Sequence, residues 1–530
     1  MATAIKDPQR SAEDPASIPS PGPRPAPSPA RYGQPVWAGL LGTIFIGVAA
    51  SLAGSPFAFK VPGAWFFGVP SANLGETVAR ASGGMLFAEL ALGFGGIVLL
   101  CRAWLTITKS VARRTGEQPG RLAGILALWS VPLLVAPPLF SDDIYSYAAQ
   151  GEMVSRHISP YLYGPGVLGA SPFSSLAQGV WVNTPSPYGP LFNGLDGRIV
   201  ELTDHRVLLS LVLLRLLAVA GVVLMAVFVP RLARSYGKDP ATAFSLGVLN
   251  PLVLLFLVGS GHNDSLMIGL LVAGLYVARQ GRPAWGMAIC ALAGAIKIPG
   301  LAGAFAIAWT CPGTSYSFRR RVRLLAQAVE ISAATFEALS ALFGVGWGWV
   351  GTIGASDTVT SWITPVDLVA KLVPKVSGGL VPASGFLTVA HVVGLLVAAV
   401  VCVWAVRHLP TLGLPRAMGI SLLALVLLGP IVQPWYLLWG IAVLAVTAGT
   451  RTSAAIALLS VTVSLVGVVG LGQLGSEFFS LPLLYQLLSV LVLAAVVVAP
   501  ICRVAREDGA ATIMPVTGRR PSPEWQLQHG

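Results

Sequence analysis

Two adjacent carboxylates are the first residues of this sequence whose type and spacing could do chemistry. Asp142 and Asp143 follow Ser141, directly after an apolar run that ends near residue 140. At the boundary between lipid and water, a carboxylate can act as a general base toward a substrate that is half lipid and half sugar. The alternative interpretation is a helix N-cap, in which Ser and Asp oxygens accept bonds from the first amides and stabilise by ~1 kcal/mol. The two roles are compatible.

A lone cation marks a second candidate position. Lys297 lies between two apolar halves, 283–297 and 298–311, and Pro299 follows it closely. A charge within an apolar segment is costly in lipid, so such residues are functional by default. The alternative is that the long side chain reaches to the lipid headgroups. The segment predicts a helical hairpin, or a broken re-entrant pair, with Lys297 at its tip.

Two further clusters combine polar and aromatic side chains, and their members are His262, Asn263 and Asp264 in the first and Gln433, Trp435 and Tyr436 in the second. The first cluster stands where an apolar segment begins, so its side chains either bind a ligand or cap the following helix. The second falls at a turn between two apolar segments, where aromatic faces can stack on sugar rings. An aromatic belt at the membrane surface explains these two rings almost as well.

The elements that position these residues must lie in a membrane. The chain has 530 residues, of which 55% are hydrophobic and 11% charged, and a soluble core cannot bury that much apolar area. Apolar runs such as 207–229 and 481–498 approach or exceed the ~20 residues that cross a bilayer as a helix. Because backbone amides cannot stay unpaired in lipid, the runs are predicted to be helices. The formal charge of +12 does not indicate nucleic-acid binding, since Lys and Arg gather in short loops.

The distribution of basic residues predicts the topology. Lys and Arg fall on alternate connections, which the positive-inside rule assigns to the cytoplasm. The predicted class is an all-α polytopic membrane protein with about 14 crossings, in a range of about 11 to 14. The spans lie near 36–56, 83–105, 121–140, 207–230, 241–259, 263–279, 283–297, 298–311, 324–345, 385–407, 415–432, 434–449, 453–471 and 481–501. Charged residues inside the spans are expected to pair with one another, namely Arg215, Glu89, Glu330 and Glu337.

The same pattern divides the chain into regions. Residues 1–35, rich in Pro, Ser and Ala, are predicted to be a disordered cytoplasmic tail. Residues 36–502 form the transmembrane domain, and 503–530 a second cytoplasmic tail. The outer side receives a large structured loop, 141–206, and a second loop, 346–384. Within the first, Ile144, Tyr147, Gly151 and Ile158 recur at helical spacing, which predicts an amphipathic helix on the membrane surface.

Four motifs together resemble a known family. They are Ser141-Asp142-Asp143-Ile144-Tyr145-Ser146-Tyr147-Ala148-Ala149-Gln150-Gly151, Gly261-His262-Asn263-Asp264, Lys297-Ile298-Pro299 and Gln433-Pro434-Trp435-Tyr436. An acidic motif at the start of a large outer loop is similar to that of the C-type membrane glycosyltransferases (GT-C). The four motifs resemble, more narrowly, the actinobacterial α-(1→6)-mannopyranosyltransferases of the MptA/MptB family. The likeness covers roughly residues 36 to 500, and the long N-terminal tail favours the MptB-like branch.

This resemblance implies an activity and its partners. An inverting glycosyltransferase of this kind moves mannose from β-linked polyprenyl-phosphate-mannose to an α-(1→6)-mannan acceptor of lipomannan and lipoarabinomannan synthesis. The acceptor is lipid-anchored, and the reaction takes place on the extracytoplasmic face of the plasma membrane. Membrane lipid is therefore an expected partner and nucleic acid is not. One direct displacement needs a base on the acceptor hydroxyl and stabilisation of the departing phosphate.

The resemblance also implies roles for individual residues. Asp142 is the expected base, with Asp143 orienting the acceptor or exchanging that role. Lys297 and His262 are expected to bind the donor phosphate. The residues expected to bind substrate are Asn263, Asp264, Tyr145, Tyr188, Gln433, Trp435 and Tyr436.

No cofactor is expected to be required, because no cluster of His, Cys and carboxylate residues has the spacing of metal ligands. The acidic pair could still hold Mg²⁺ or Mn²⁺ through a phosphate. Two alternatives stay open. A polytopic transporter or lipid flippase would show paired broken helices, of which this sequence has one clear case. A C-type transferase for arabinose or glucose would recognise the same lipid phosphate.

Overall fold

The fold is described by a computed structural model for residues 33–52, 55, 57–58, 83–113, 117–177, 179–310, 318–352, 364–378, 380 and 383–467. Every regular element in these ranges is a helix, which confirms the predicted all-α class. Most of the predicted tail 1–35, the last predicted span near 481–501 and the tail 503–530 lie outside the described residues. Parts of the loop 346–384 do so as well.

The helices follow the apolar runs. In chain order they are α1 (Gly33–Ser51), α2 (Gly83–Ala112), α3 (Pro119–Val135), α4 (Asp143–Ser155), α5 (Pro190–Leu202), α6 (Val207–Ser235), α7 (Pro240–Gly247), α8 (Asp264–Arg279), α9 (Pro283–Ile296), α10 (Ala302–Thr310), α11 (Phe318–Phe343), α12 (Pro365–Val376), α13 (Ala383–Arg407), α14 (Leu409–Leu412), α15 (Leu414–Leu428), α16 (Leu437–Ala445) and α17 (Thr450–Val466). A π-helix spans Val253–Gly259, and short 3₁₀ turns span Pro165–Leu168, Ser174–Leu176, Gly179–Val182, Ile298–Leu301, Gly348–Thr352 and Pro434–Tyr436.

Several of these helices are long and apolar enough to cross a bilayer. By length and composition, the described residues contain 4 such helices, Gly33–Ser51, Ala88–Ala112, Val207–Ser235 and Gly385–Arg407. The π-helix and α8 form a fifth candidate, bent by 111° at the break between them. Shorter apolar helices of 10–17 residues, among them α3, α9, α15 and α17, occupy other predicted spans. The chain is therefore a membrane protein, and the count of about 14 crossings stays a prediction.

The predicted span 241–259 is not one helix. Helix α7 ends at Gly247, and the π-helix begins only at Val253. Pro251 explains the break, because it lacks an amide hydrogen and disfavours a helical conformation at Asn250 before it. The Asn250 side chain occupies the gap, where its amide nitrogen donates to Leu246 O and Ser460 Oγ.

Helix α4 does not lie on a surface, contrary to the amphipathic helix predicted over 144–158. The helix ends at Ser155, and every residue from Ile144 to Met153 is buried. Helices α5 and α6 and the turns at Pro165–Leu168 and Ser174–Leu176 pack around it. The helical spacing of apolar residues correctly predicted a helix. Polar residues such as Gln150 and Glu152 are also buried, because the rest of the loop covers them.

The prediction that Arg215 pairs with Glu89 or Glu337 within the spans is also wrong. Arg215 donates to backbone carbonyls at the ends of α3 and the π-helix. Both carboxylate oxygens of Glu89 are buried without a hydrogen-bond partner in the described part of the chain. Glu337 accepts a bond from the Trp347 indole instead of meeting the arginine. A guanidinium satisfies unpaired helix-end carbonyls as well as it satisfies a carboxylate.

Candidate active site

The acidic motif opens helix α4. Ser141 Oγ accepts a bond of 3.2 Å from the Asp143 amide, so serine provides the side-chain acceptor at this helix start. Asp142 occupies the N-cap position, but its carboxylate makes no capping hydrogen bond. The capping interpretation therefore applies to Ser141 and not to the Asp142 carboxylate.

Asp143 meets a histidine from the second motif. Its Oδ2 lies 3.4 Å from His262 Nδ1 and 3.4 Å from the Tyr147 hydroxyl. Tyr147 Oη is also 3.4 Å from His262 Nδ1, so the three side chains form a closed triangle. These distances are at the long end of the hydrogen-bond range. The Asp143 side chain is 14% exposed and that of His262 is 1% exposed, which leaves the carboxylate as the accessible member.

The third contact of His262 is aromatic. Its ring stacks on Trp435 with centroids 3.6 Å apart and an interplanar angle of 20°. This contact fixes the plane of the imidazole. Trp435 is itself only 2% exposed, which favours a site role over an aromatic belt at the membrane surface. The motifs that begin α4, α8 and α16 are thus joined through one histidine.

Lys297 lies at the tip of a hairpin, as the sequence predicts. Helix α9 ends at Ile296, Lys297 is extended, and the chain returns through the turn Ile298–Leu301 into α10. The two arms pack closely: a Cβ on Gly294 would overlap with Leu301, and one on Gly303 would lie against Cys290. Contacts that pair earlier with later residues in this way indicate antiparallel arms.

The ammonium of Lys297 forms a buried ion pair. Nζ lies 3.1 Å from both Oδ1 and Oδ2 of Asp264, whose side chain is fully buried. Trp439 Nε1 donates to the same Asp264 Oδ1 at 2.6 Å. Three rings surround the cation, with Nζ 4.3 Å from the Tyr436 centroid, 5.4 Å from Trp439 and 5.6 Å from Tyr188. Cation–π attraction adds to the ion pair in such a poorly hydrated place.

The outer loop reaches this hairpin through its Pro-Tyr-Gly-Pro stretch. The Gly189 amide donates to Ile296 O at 3.1 Å. A Cβ on Gly189 would overlap with the Ala295 carbonyl, so only glycine allows the two backbones to approach this closely. The contact places Tyr188 beside Lys297 on one side and beside Tyr147 on the other, with the two tyrosine rings 5.2 Å apart.

The aromatic side of the site is tightly packed. Tyr147, Tyr188 and Phe192 meet edge to face, with centroid separations of 4.9 to 5.3 Å. Burial raises the pKa of the Tyr147 and Tyr188 hydroxyls well above the usual value, and the neighbouring Asp143 adds to this shift. Both hydroxyls therefore keep their protons and act as hydrogen-bond donors or acceptors, not as bases.

Several polar atoms of the site have no hydrogen-bond partner within the described residues. They are His262 Nε2, the amide oxygen and nitrogen of Asn263, Gln433 Oε1 and Trp435 Nε1. A buried donor or acceptor without a partner costs ~1–3 kcal/mol, so native proteins rarely keep several together. Both donors and acceptors are represented, which suits a ligand rich in hydroxyl and phosphate oxygens. Asn263 makes no side-chain capping bond to α8, so the capping alternative does not account for it.

The structure brings most of the predicted site residues together. Tyr145 is fully buried, and the charges that act on its hydroxyl are those of Arg215 and Asp142. Its role in substrate binding stays a prediction. Two residues of the cluster were not predicted from the sequence to belong to the site, Tyr147 and Trp439. Tyr147 lies one helical turn after Asp143, and that spacing was the available signal.

No group of three or more His, Cys, Asp or Glu side chains in the described ranges is arranged to hold a metal ion. Asp143 instead faces a histidine and a tyrosine, and Asp264 faces a lysine and a tryptophan. The expectation that no cofactor is required stays a prediction.

Comparison with known proteins identifies the family of this chain. A model described as the alpha-(1→6)-mannopyranosyltransferase N-terminal domain, of the MptA/MptB family, matches residues 36–313. This range contains three of the four motifs. The chain belongs to this family. A second model, described as the MptB C-terminal domain, matches residues 371–504 and contains the fourth motif.

Curated relatives carry the same activity in their names. A probable alpha-(1→6)-mannopyranosyltransferase of Mycolicibacterium smegmatis is 32% identical over 505 residues, which cover 87% of this chain and 86% of the relative. An alpha-(1→6)-mannopyranosyltransferase of Mycobacterium tuberculosis is 30% identical, covering 87% of this chain and 85% of the relative. Alpha-(1→6)-mannopyranosyltransferase B of Corynebacterium glutamicum is 28% identical, covering 77% and 72%. No solved structure matches the chain.

Family membership confirms an enzyme over a transporter or lipid flippase. The chain is a membrane mannosyltransferase, and it therefore takes a sugar donor and an acceptor.

Proposed function

We propose that this mannosyltransferase uses polyprenyl-phosphate-mannose as donor and extends a lipid-anchored α-(1→6)-mannan of lipomannan and lipoarabinomannan synthesis. One observation carries the proposal. An accessible carboxylate, Asp143, and a buried cation, Lys297, belong to one connected cluster that the four motifs form through His262, Tyr188 and Trp439. A base and a phosphate-binding cation in one cluster are what a single displacement at a sugar phosphate requires.

The reaction is a direct displacement at the anomeric carbon. Asp143 accepts the proton of the acceptor 6-hydroxyl as its oxygen forms a bond to C1 of the mannose. The bond between C1 and the phosphate oxygen breaks, and its electron pair leaves with the polyprenyl phosphate. The β-linked donor thus gives an α-linked product with no covalent enzyme intermediate. The proton on Asp143 then passes to water.

Geometry supports Asp143 over Asp142 as the base. Asp143 Oδ2 contacts His262 Nδ1 and the Tyr147 hydroxyl, and its charge acts on Lys297 and Tyr188. Asp142 acts on Tyr145 instead. Neighbouring helical residues point about 100° apart, so the two adjacent carboxylates meet different neighbours. Asp142, the base expected from the resemblance, would then lie beside the site.

The departing phosphate would meet Lys297 and His262. Lys297 keeps 11% of its side chain exposed while its partner Asp264 is fully buried, so the cation is the side of the ion pair that a ligand can approach. His262 Nε2, Asn263 and Gln433 would complete the hydrogen bonds to the phosphate and the sugar, since their polar atoms lack partners in the described part of the chain. The stacked ring of Trp435 holds the imidazole in place for this contact.

The proposal includes the membrane setting. A donor and acceptor that both carry lipid tails require a site at the lipid–water boundary of a polytopic protein. The positive-inside pattern supports the outer face of the plasma membrane for the loop 141–206 and for the hairpin tip at Lys297. The break between the π-helix and α8 and the hairpin α9–α10 supply irregular backbone on both sides of the ion pair between Lys297 and Asp264. We place the chain in the GT-C class on these grounds.

The test compares two aspartates that are adjacent in sequence. Membranes containing wild type, Asp143→Asn, Asp142→Asn or Asp239→Asn are incubated with polyprenyl-phosphate-mannose and a short α-(1→6)-mannoside. Asp239→Asn is the matched control, because Asp239 caps α7, belongs to none of the four motifs, and asparagine can still cap. Asp143→Asn should lower transfer by about 10²–10⁴, and Asp142→Asn by much less. Equal transfer by Asp143→Asn and the control would refute the assignment of the base.

The same assay tests the substrates. Mannose released from a nucleotide sugar with no lipid intermediate, or transfer that does not depend on the polyprenyl phosphate, would contradict the proposed donor.

A further inference from the structure

Arg215 in α6 binds two helix ends at once. Its Nη1 donates to Ala136 O at 2.7 Å and Leu134 O at 3.2 Å. Its Nη2 donates to Leu133 O at 2.6 Å and Gly259 O at 2.8 Å, with Val258 O at 3.5 Å. The residue is 2% exposed. One buried guanidinium therefore donates hydrogen bonds to the final carbonyls of both α3 and the π-helix.

Proline creates the need for this donor at the end of α3. In a continuing helix, the carbonyl of Leu133 would accept from residue 137 and that of Leu134 from residue 138. Residues 137 and 138 are both proline and have no amide hydrogen. Arg215 donates to these two orphaned carbonyls. Two prolines in sequence thus leave both carbonyls without their usual donor within the helix.

Each of the two helix ends leads directly into a motif of the site. The acidic motif begins at Ser141, shortly after Ala136, and His262 follows Gly259 by three positions. The Leu139 amide donates to Gly259 O at 3.1 Å, so this carbonyl is shared between Arg215 and the connection to the acidic motif. A Cβ on Gly261 would lie 2.8 Å from Ile144 Cδ1 and 3.1 Å from Arg215 Cγ. The arginine stem therefore lies between the two motifs.

The same face of α6 supports the start of α8. Ser265 Oγ donates to Ala218 O at 2.7 Å, one turn after Arg215. One further turn along, a Cβ on Gly221 would overlap with the backbone of Ser265 and Leu266. Successive turns of helix α6 thus hold the start of α8 just after the second motif, and Arg215 on the same face also binds the helix end that precedes the first motif.

We infer that Arg215 is a positioning residue for mannosyl transfer, which fixes the carboxylate of Asp143 relative to His262 by tying together the backbones that carry them. The inference rests on the proposed function, because it takes Asp143 and His262 as working groups. Arginine suits the task since its planar fork presents several donors in fixed directions, and its positive charge favours the negative ends of two helices. A lysine would supply the charge without the fork.

The first test measures whether Arg215 holds the two backbone segments together, and it does not depend on activity. Hydrogen–deuterium exchange is followed in peptides covering 136–147 and 256–266 in wild type, Arg215→Lys, Arg215→Met and Trp104→Phe. Trp104→Phe is the matched control, since it removes one buried bond, Trp104 Nε1 to Ser245 O, far from both motifs. Arg215→Met should speed exchange of the Leu139 amide by at least ~10-fold, with a smaller effect in Arg215→Lys. The control should leave both peptides unchanged.

Kinetics then separate positioning from general stability. Displacement of a reacting group by ~1 Å can cost about 10²-fold in rate, so kcat per folded molecule should fall about 10²-fold in Arg215→Met and less in Arg215→Lys. The KM for the donor should change little, because Arg215 does not reach the ligand. Trp104→Phe should lose folded protein but keep its kcat.

Two results would overturn the inference. If the exchange rate of peptide 136–147 in both arginine variants equals that in Trp104→Phe, Arg215 does not hold the two backbone segments together. Faster exchange together with a kcat within ~2-fold of wild type would show that the tie does not serve the reaction. The proposed function is tested by a different variant. An active Asp143→Asn protein would refute Asp143 as the base, but it would not change the hydrogen–deuterium exchange measured in the Arg215 variants. If Arg215→Met does not fold, Arg215→Lys provides both measurements.

Discussion

The ion pair between Lys297 and Asp264 allows a structural role to be separated from a functional one. Nζ lies 3.1 Å from both oxygens, and the Lys297 and Asp264 side chains are 11% and 0% exposed. Removing one partner of a buried pair leaves the other charge uncompensated, which costs about 3–5 kcal/mol. Lys297→Met should lower stability by this amount, because the remaining bond from Trp439 Nε1 does not neutralise the carboxylate.

The double variant Lys297→Met/Asp264→Asn should recover most of that stability, since neither charge is then left alone. Its activity should not recover. If Lys297 receives the departing phosphate, losing the cation removes transition-state stabilisation and lowers kcat by about 10²–10³. Asp264→Asn by itself keeps the cation among its three aromatic rings, so it should retain more activity than either variant without the lysine.

Thermal unfolding in detergent, followed by tryptophan fluorescence, measures the stability of the four proteins, and transfer of labelled mannose from the lipid donor measures their activity. A double variant that transfers mannose at the wild-type rate would refute the role of Lys297 at the phosphate. A Lys297→Met protein that unfolds at the wild-type temperature would refute the stabilising pair.

Further predictions concern the surroundings of the site. Trp435→Leu should lower kcat about tenfold, because His262 loses the ring that fixes its plane; Trp435→Phe, which keeps a ring, is the control in the same assay. Gly189→Ala should destabilise by ~1–3 kcal/mol and lower transfer, since its Cβ would overlap with the Ala295 carbonyl; unchanged thermal unfolding would argue against this close approach. Burial raises the pKa of the Asp196 carboxyl in α5 well above its usual value. The unfolded chain therefore ionises first and stability falls as pH rises above the ordinary aspartate pKa, so Asp196→Asn should raise the unfolding temperature more at about pH 8 than at about pH 4. Treatment with EDTA should leave transfer largely intact, whereas a loss restored by Mn²⁺ would contradict a metal-free displacement.

Local sequence signals located most parts of the candidate site. Lys297 between two apolar halves, with Pro299 after it, predicted a hairpin tip, and the structure has one there. The acidic pair and His262 were recognised because carboxylate and imidazole side chains at the boundary between lipid and water can do chemistry on a substrate that is half lipid and half sugar. These signals depend on composition and short spacing, which act within a few residues.

Other parts of the site could not be predicted in this way. The sequence does not say which of Asp142 and Asp143 faces His262, because that depends on how α4 is rotated against α5 and α6. Helix α4 was expected on a surface and is buried, since the surrounding loop supplies its cover. Arg215 was expected to pair with a carboxylate, but it donates to backbone carbonyls. These carbonyls lack donors because they lie at two helix ends, and the meeting of those ends is a feature of the tertiary structure.

By itself, the sequence determined that this chain is a helical membrane protein with four polar motifs at the ends of apolar segments. Hydrophobic content and the positions of proline decide this, because every backbone amide in lipid must be bonded within its own helix. Only the tertiary structure decided that Lys297 pairs with Asp264, that His262 stacks on Trp435 and that Arg215 joins two motifs. Such contacts bring together residues far apart in the chain, and their geometry depends on the packing of helices whose sequences do not record their mutual rotation.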